Sequence, residues 1–123
     1  MTTEDKIACV LDVYPDLDAN GLHADADIEK NPIDPTQFNR ALVWLLMNGS
    51  KAKSVYRDAS SYGLKHIASR NLEAVNAEVP VLAGGGSYMS NGAFICAAAH
   101  LGYIVQRIPG SMNVRINIRK PRI

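Results

Sequence analysis

The sequence predicts an α+β fold: about four helices followed by a C-terminal antiparallel β-hairpin. Three observations predict it. Apolar residues recur at helical spacing behind recognisable caps in three stretches, and a fourth stretch, Asn91–Leu101, is apolar almost all round. Residues 103–119 then switch to two-residue alternation on either side of a Pro-Gly turn. At 123 residues, 47% of them hydrophobic and 20% charged, the chain has the length and composition of one domain with a real core.

The first helix starts at Thr2 or Thr3, either of which can cap it. It places Ile7, Val10, Leu11 and Tyr14 on one face and stops at Pro15. Residues 15–34, rich in Asp, Asn, Gly and Pro, read as an irregular segment. Asp34-Pro35-Thr36-Gln37 is a sharp helix start, with a cap, proline at the first position and Gln37 able to reach back to the cap. Phe38, Ala41, Leu42, Leu45 and Leu46 form its apolar stripe. Val43, Trp44 and Met47 widen that stripe enough to make the helix central, and Asn48-Gly49 ends it.

A basic connector, Ser50 to Arg57, leads to a third helix capped by Asp58 or Ser60. Leu64, Ile67, Ala68, Leu72 and Val75 face inward there, leaving Lys65, His66 and Arg70 for the outside. Pro80 closes it. Val81-Leu82-Ala83 and the flexible joint Gly84-Gly85-Gly86 precede Ser90, which caps the fourth helix ahead of Gly102. Tyr103–Ile108 and Asn113–Arg119 are the strands, joined by Pro109-Gly110-Ser111-Met112. Alternation in the second strand packs Val114, Ile116 and Ile118 and presents Arg115 and Arg119 to solvent. Cys9 and Cys96, each alone in an apolar stretch, read as reduced core residues.

The net charge of +1 hides an asymmetry. Residues 1–34 carry nine acids against Lys6 and Lys30, a balance of −7. From Pro35 onward eleven Lys or Arg face three acids, a balance of +8. A basic body attracts polyanions, whereas the acidic leader either packs on that body or repels them; two solvated faces of one domain are the plainer reading. No apolar run approaches the roughly 20 residues of a membrane-spanning helix, and the start is acidic where a secretory signal is basic, so the expected location is the cytoplasm.

Two strings are similar to a group of small proteins found in prophages, plasmids and integrative elements. One is Ser61-Tyr62-Gly63-Leu64-Lys65-His66. The other is Tyr88-Met89-Ser90-Asn91-Gly92-Ala93-Phe94-Ile95, continued by Ala97-Ala98, Leu101-Gly102-Tyr103, Asn113 and Asn117-Ile118. The resemblance covers residues 60–118. It implies a mobile-element or host-derived cytoplasmic protein and supplies no catalytic residues. Physically, each string opens a helix with a small hydroxyl cap, which can leave backbone N–H groups for a phosphate; Gly63 and Gly92 serve equally for tight helix packing.

Helices followed directly by a hairpin give the element order of a winged helix-turn-helix, so association with nucleic acid, DNA or RNA, is the leading expectation. Lys65, His66 and Arg70 on one helix, Ser90 and Asn91 at the start of another, and Arg115, Arg119 and Lys120 on the hairpin would contact phosphates, with Asn91 reaching a base edge. The alternative is a protein-binding module or inhibitor that engages a host protein through the acidic segment and exposed Tyr14, Trp44 or Tyr103. A second copy pairing with the hairpin edge would make a homo-oligomer.

Asp16, Asp18, Asn20, Gly21 and Asp27 have the spacing of a calcium loop, although Pro15 and His23 fit it poorly and an Asx-rich turn explains the same residues. Val79–Ser87 has the layout of a glycine loop without the ending of a P-loop. His23, His66 and His100 are scattered, and only His66 beside Tyr62 suggests acid-base work. No catalytic residue, metal or cofactor is expected.

Overall fold

The fold is taken from a computed structural model that describes residues 1–23, 29–78 and 86–121. Four helices, α1 (Thr3–Val13), α2 (Pro35–Asn48), α3 (Ser61–Glu78) and α4 (Asn91–His100), are joined by two short antiparallel pairs. These are β1 (Leu17–Asp18) with β2 (Gly21–Leu22), and β3 (Val105–Arg107) with β4 (Val114–Ile116). Asp27, the segment 79–85 and Arg122, each part of an expectation above, lie outside the described residues. Among the described residues no helix is long and apolar enough to cross a membrane.

The caps form as the sequence dictates. Thr2 and Asp5 make a reciprocal capping box, and Asp34 accepts the Gln37 N–H ahead of Pro35. Ile7 and Val10 of α1, Phe38, Ala41, Trp44 and Leu45 of α2, and Leu64, Ala68 and Leu72 of α3 are buried. All of them converge on α4, which is buried at every residue from Asn91 to Ala98 and touches the other three helices and both strand pairs. A Schellman motif ends it: Gly102, at φ +85°, donates to the Ala99 carbonyl and Tyr103 donates to that of Ala98. Trp44 lies against Phe94 and donates to Asn71 Oδ1 at 3.0 Å, which ties α2 to α3.

Several expectations are corrected. Residues 15–34 are not wholly irregular, because Leu17 pairs with Leu22 and Asp18 with Gly21, and both leucines enter the core. Leu46 and Met47 are exposed, because the apolar stripe of α2 is wider than the surface that α1, α3 and α4 cover. Cys9 is exposed, on the side of α1 away from Ile7 and Val10. Cys96 is buried, and burial pushes its thiol up to about 12. Trp44 and Tyr103 are buried, so neither can anchor a partner protein. Tyr14 is only half-covered.

The hairpin is shorter than its alternation implies, with Val105 opposite Ile116, Gln106 opposite Arg115 and Arg107 opposite Val114. Beyond β4 the chain pairs instead with the connector. Ala52 donates to the Asn117 carbonyl, Arg119 to that of Ser50 and Tyr56 to that of Ile116, with an antiparallel bridge between Lys51 and Ile118. The connector therefore covers the β4 edge of the hairpin. Asn117, on the nominally solvated face, is buried. Its oxygen accepts from Ile104 N at 2.6 Å and its NH2 donates to Ala52 O at 2.8 Å.

The acidic leader packs on the body. Asp16 forms an ion pair with Arg107 of β3 at 2.6 Å, and Asp18 accepts from His23 and from the backbone of Asn20 and Asn31. Burial alone would raise the Asp18 pKa. The His23 and backbone hydrogen bonds, with the His23 charge, outweigh it and hold the carboxyl below its usual range. Both carboxylates are thus engaged by protein donors, which favours the Asx-turn reading. Among the described residues no group of three or more His, Cys, Asp or Glu is placed to hold a metal ion.

Candidate functional site

A cleft of about 580 Å³ opens where the starts of α2, α3 and α4 meet the tips of both strand pairs. Three contacts assemble it. Ser90 caps α4 by accepting the Ala93 N–H, and its own N–H donates to Gln37 Oε1 at 2.9 Å, setting the first turns of α2 and α4 side by side. Gly92 N donates to the Ala19 carbonyl at 3.0 Å, bringing the β1–β2 turn onto α4 so closely that a Cβ at position 92 would overlap the Asp18 carbonyl. Arg40 of α2 donates to the Tyr88 carbonyl at 2.9 Å, while Met89 is sunk in the core; together they fix the strap on which Tyr88 stands.

Lys65 dominates the chemistry. Only 6% of the residue is exposed, and its ammonium lies 5.2 Å from the Tyr62 ring centroid and 5.0 Å from that of Tyr88, within cation–π range of both. It has no hydrogen bond or ion pair among the described residues. Burial lowers its pKa from the ordinary lysine value. An ammonium carries three N–H donors, and π faces do not replace the oxygen acceptors they prefer.

The neighbouring groups are also donors. Gln37 spends its amide oxygen on Ser90 N–H, which leaves its NH2 unspent. Asn91 donates to Asn20 O and to Asn113 Oδ1, both at 3.0 Å, so the NH2 of Asn113 is likewise unspent. Ser90 Oγ accepts from Ala93 and keeps its own proton to give. Against these stands one carboxylate among the cleft residues, Asp34, exposed at the rim and accepting the Gln37 N–H. A cavity lined by Lys65 and three donor groups whose acceptor halves are consumed is chemically suited to an anion, with Asn91 Oδ1, on the same lining, an acceptor unpartnered among the described residues.

The residues singled out from sequence divide into two groups. Lys65, Ser90 and Asn91 do meet in this cleft, but not as expected. Lys65 is not on the outside of α3, because Tyr88 and Tyr62 cover it. The first N–H groups of α4 are not free for a phosphate, since Gly92 and Ala93 already donate to Ala19 O and Ser90 Oγ. Asn91 does not reach a base edge: its NH2 is spent, and its Oδ1 is the one enclosed side-chain polar atom without a partner among the described residues. His66 and Arg70 are exposed on α3 as expected, and His66 sets its ring edge-on to Tyr62 at 4.5 Å.

Arg119 and Lys120 line a different, shallow groove with Ala52 and residues 54–58, and Arg119 Nε donates to Lys51 O at 3.2 Å. Arg115 is half-buried on β4. The lining of the Lys65 cleft includes none of Arg115, Arg119 and Lys120.

Sequence reasoning missed Tyr88, Gln37 and Asn113 as site residues. Gln37 carried a misleading signal, because its position three residues after the cap suggested a return to Asp34, whereas it reaches the cap of α4. The cues to Tyr88 were its place two positions before the Ser90 cap and at the head of the second family-like string. Comparison with protein-family models, with curated proteins and with solved structures finds no match to this chain.

Proposed function

We propose that the protein is a cytoplasmic, non-enzymatic binder of single-stranded nucleic acid that uses the cleft and the adjoining face of α3. The observation that carries this reading is Lys65, nearly enclosed and without an acceptor among the described residues, flanked by two tyrosines that are themselves 51% and 59% exposed. Tyrosine faces stack bases with little regard to sequence, at about 1–3 kcal/mol per base, and cations beside them hold phosphates. Tyr62, His66 and Arg70 follow one another at four-residue intervals and so continue the ridge along α3. A single strand fits this arrangement better than a duplex read by α4, which presents no open face, so the winged-helix element order is not used as a reading mode. Arg119 and Lys120 add general attraction for a polyanion from their separate groove.

Fluorescence anisotropy tests the reading, with labelled single-stranded DNA and RNA of about 12 nucleotides and a matching duplex, at about 50 and 200 mM salt. Single strands should bind more tightly than the duplex and weaken with salt. Tyr62→Ala and Tyr88→Ala should each lose about 5- to 150-fold. Absence of binding at low salt, or affinity indifferent to both substitutions, overturns the proposal.

A further inference from the structure

We infer that the cleft receives a terminal phosphomonoester of a nucleotide, its phosphate meeting the Lys65 ammonium behind the two tyrosine rings. The inference rests on the nucleic-acid reading just given and specifies which part of the ligand enters. Lys65 is only 6% exposed and lies against both tyrosine rings, so a phosphate in the middle of a strand, with a nucleotide on either side of it, has little room to approach. A group at the tip of a strand meets no such obstacle. The volume of about 580 Å³ lies within the roughly 300–1,000 Å³ of small-molecule sites, so there is room for one nucleotide.

Charge points the same way. A monoester carries about −1.5 to −2 at neutral pH and three strong acceptor oxygens, whereas an internal diester carries about −1. The cleft answers with Lys65, the unspent NH2 groups of Gln37 and Asn113, and the Ser90 hydroxyl, four donor groups for those oxygens. Asp34 opposes them from the rim, half-committed to the α2 backbone. The ligand can come from a strand end or from a free mononucleotide, and the chemistry at Lys65 is the same for both.

The test compares matched single strands ending in 5′-phosphate, 3′-phosphate or hydroxyl alone by anisotropy, with adenosine 5′-monophosphate titrated calorimetrically against the same protein. A phosphate-ended strand should bind about 10- to 100-fold more tightly than its hydroxyl-ended counterpart, the range of a charge-assisted contact. Lys65→Met should weaken both strands and erase that preference, the phosphate-ended strand losing more than the hydroxyl-ended one. Gln37→Glu is the second variant: it retains an acceptor for Ser90 N–H, adds a negative charge to the cleft, and should erase the preference even if Lys65→Met fails to fold. Equal binding of all ends with the tyrosine dependence intact overturns the inference and leaves the single-strand reading standing. Binding of the mononucleotide without binding of any strand keeps the phosphomonoester site and removes the single-strand reading. No binding of any probe overturns both.

Discussion

Replacing Gly92 by alanine tests the packing that creates the cleft. An alanine side chain in an unhindered helix would stabilise by about 1 kcal/mol relative to glycine. At position 92 the added Cβ overlaps the Asp18 carbonyl oxygen and would lie 2.7 Å from the carbonyl carbon and 2.9 Å from Ala19 Cα. All three are backbone atoms, which cannot swing aside as a side chain can. The β1–β2 turn must therefore retreat on the order of 1 Å, at the roughly 1–3 kcal/mol of overpacked cores. Retreat also breaks the bond from Gly92 N–H to Ala19 O and leaves a buried donor unpaired, about 1–3 kcal/mol more. Net of the propensity gain, destabilisation should be about 3 kcal/mol, or some 9–15 °C in Tm for a domain of this size. Urea unfolding followed by Trp44, the single tryptophan and fully buried, reports it directly. Gly63→Ala is the control, because its Cβ would meet only Ala59 Cβ at 3.2 Å, and its effect should stay within about 1 kcal/mol. A Gly92→Ala protein as stable as the parent would refute the docking of β1–β2 on α4.

Two further outcomes follow from buried polar side chains. Asn117→Ala removes the acceptor of Ile104 N–H and the donor to Ala52 O at a buried position and should cost about 2–4 kcal/mol, read as a lower urea midpoint with an unchanged slope. Asp18 has a folded pKa below the value of about 3.9 it takes in the unfolded chain, so its ionised form contributes stability that is present above about pH 4 and is lost as pH falls through the folded value. The difference in urea midpoint between the parent and Asp18→Asn should therefore be largest near neutrality and shrink below about pH 4; a difference that grows on acidification contradicts the assignment.

Local chemistry was legible where local atoms decide it. Asp34-Pro35 and Ser90 announced helix starts because a cap satisfies donors within three residues, and Val114-Ile116-Ile118 announced a buried strand face because the pleat repeats every two. Lys65 shows where such reasoning stops. Helical periodicity placed it outside Leu64 and Ala68, and with respect to α3 alone that is correct. It is buried by Tyr88, a residue 23 positions away whose placement depends on Arg40 and Met89. Asn117 went the same way, since the alternation cannot tell that the connector returns to cover it. The cleft was only half visible for this reason: Lys65, Ser90 and Asn91 were candidates individually, but the donor set exists only when Gln37 and Asn113 arrive from other elements.

The position of α4 near the end of the chain bears on how the protein is made. Synthesis proceeds from the amino terminus, so α1, β1–β2 and α2 leave the ribosome before the helix that all of them lean on. Until residues 91–100 emerge, Phe38, Trp44 and the leucines at 17, 22 and 45 lack the helix that completes their burial, and the nascent chain carries a sticky apolar stretch. Assembly is consequently completed late, when α4 joins elements distant from it in sequence, and chaperone demand falls on the first ninety residues.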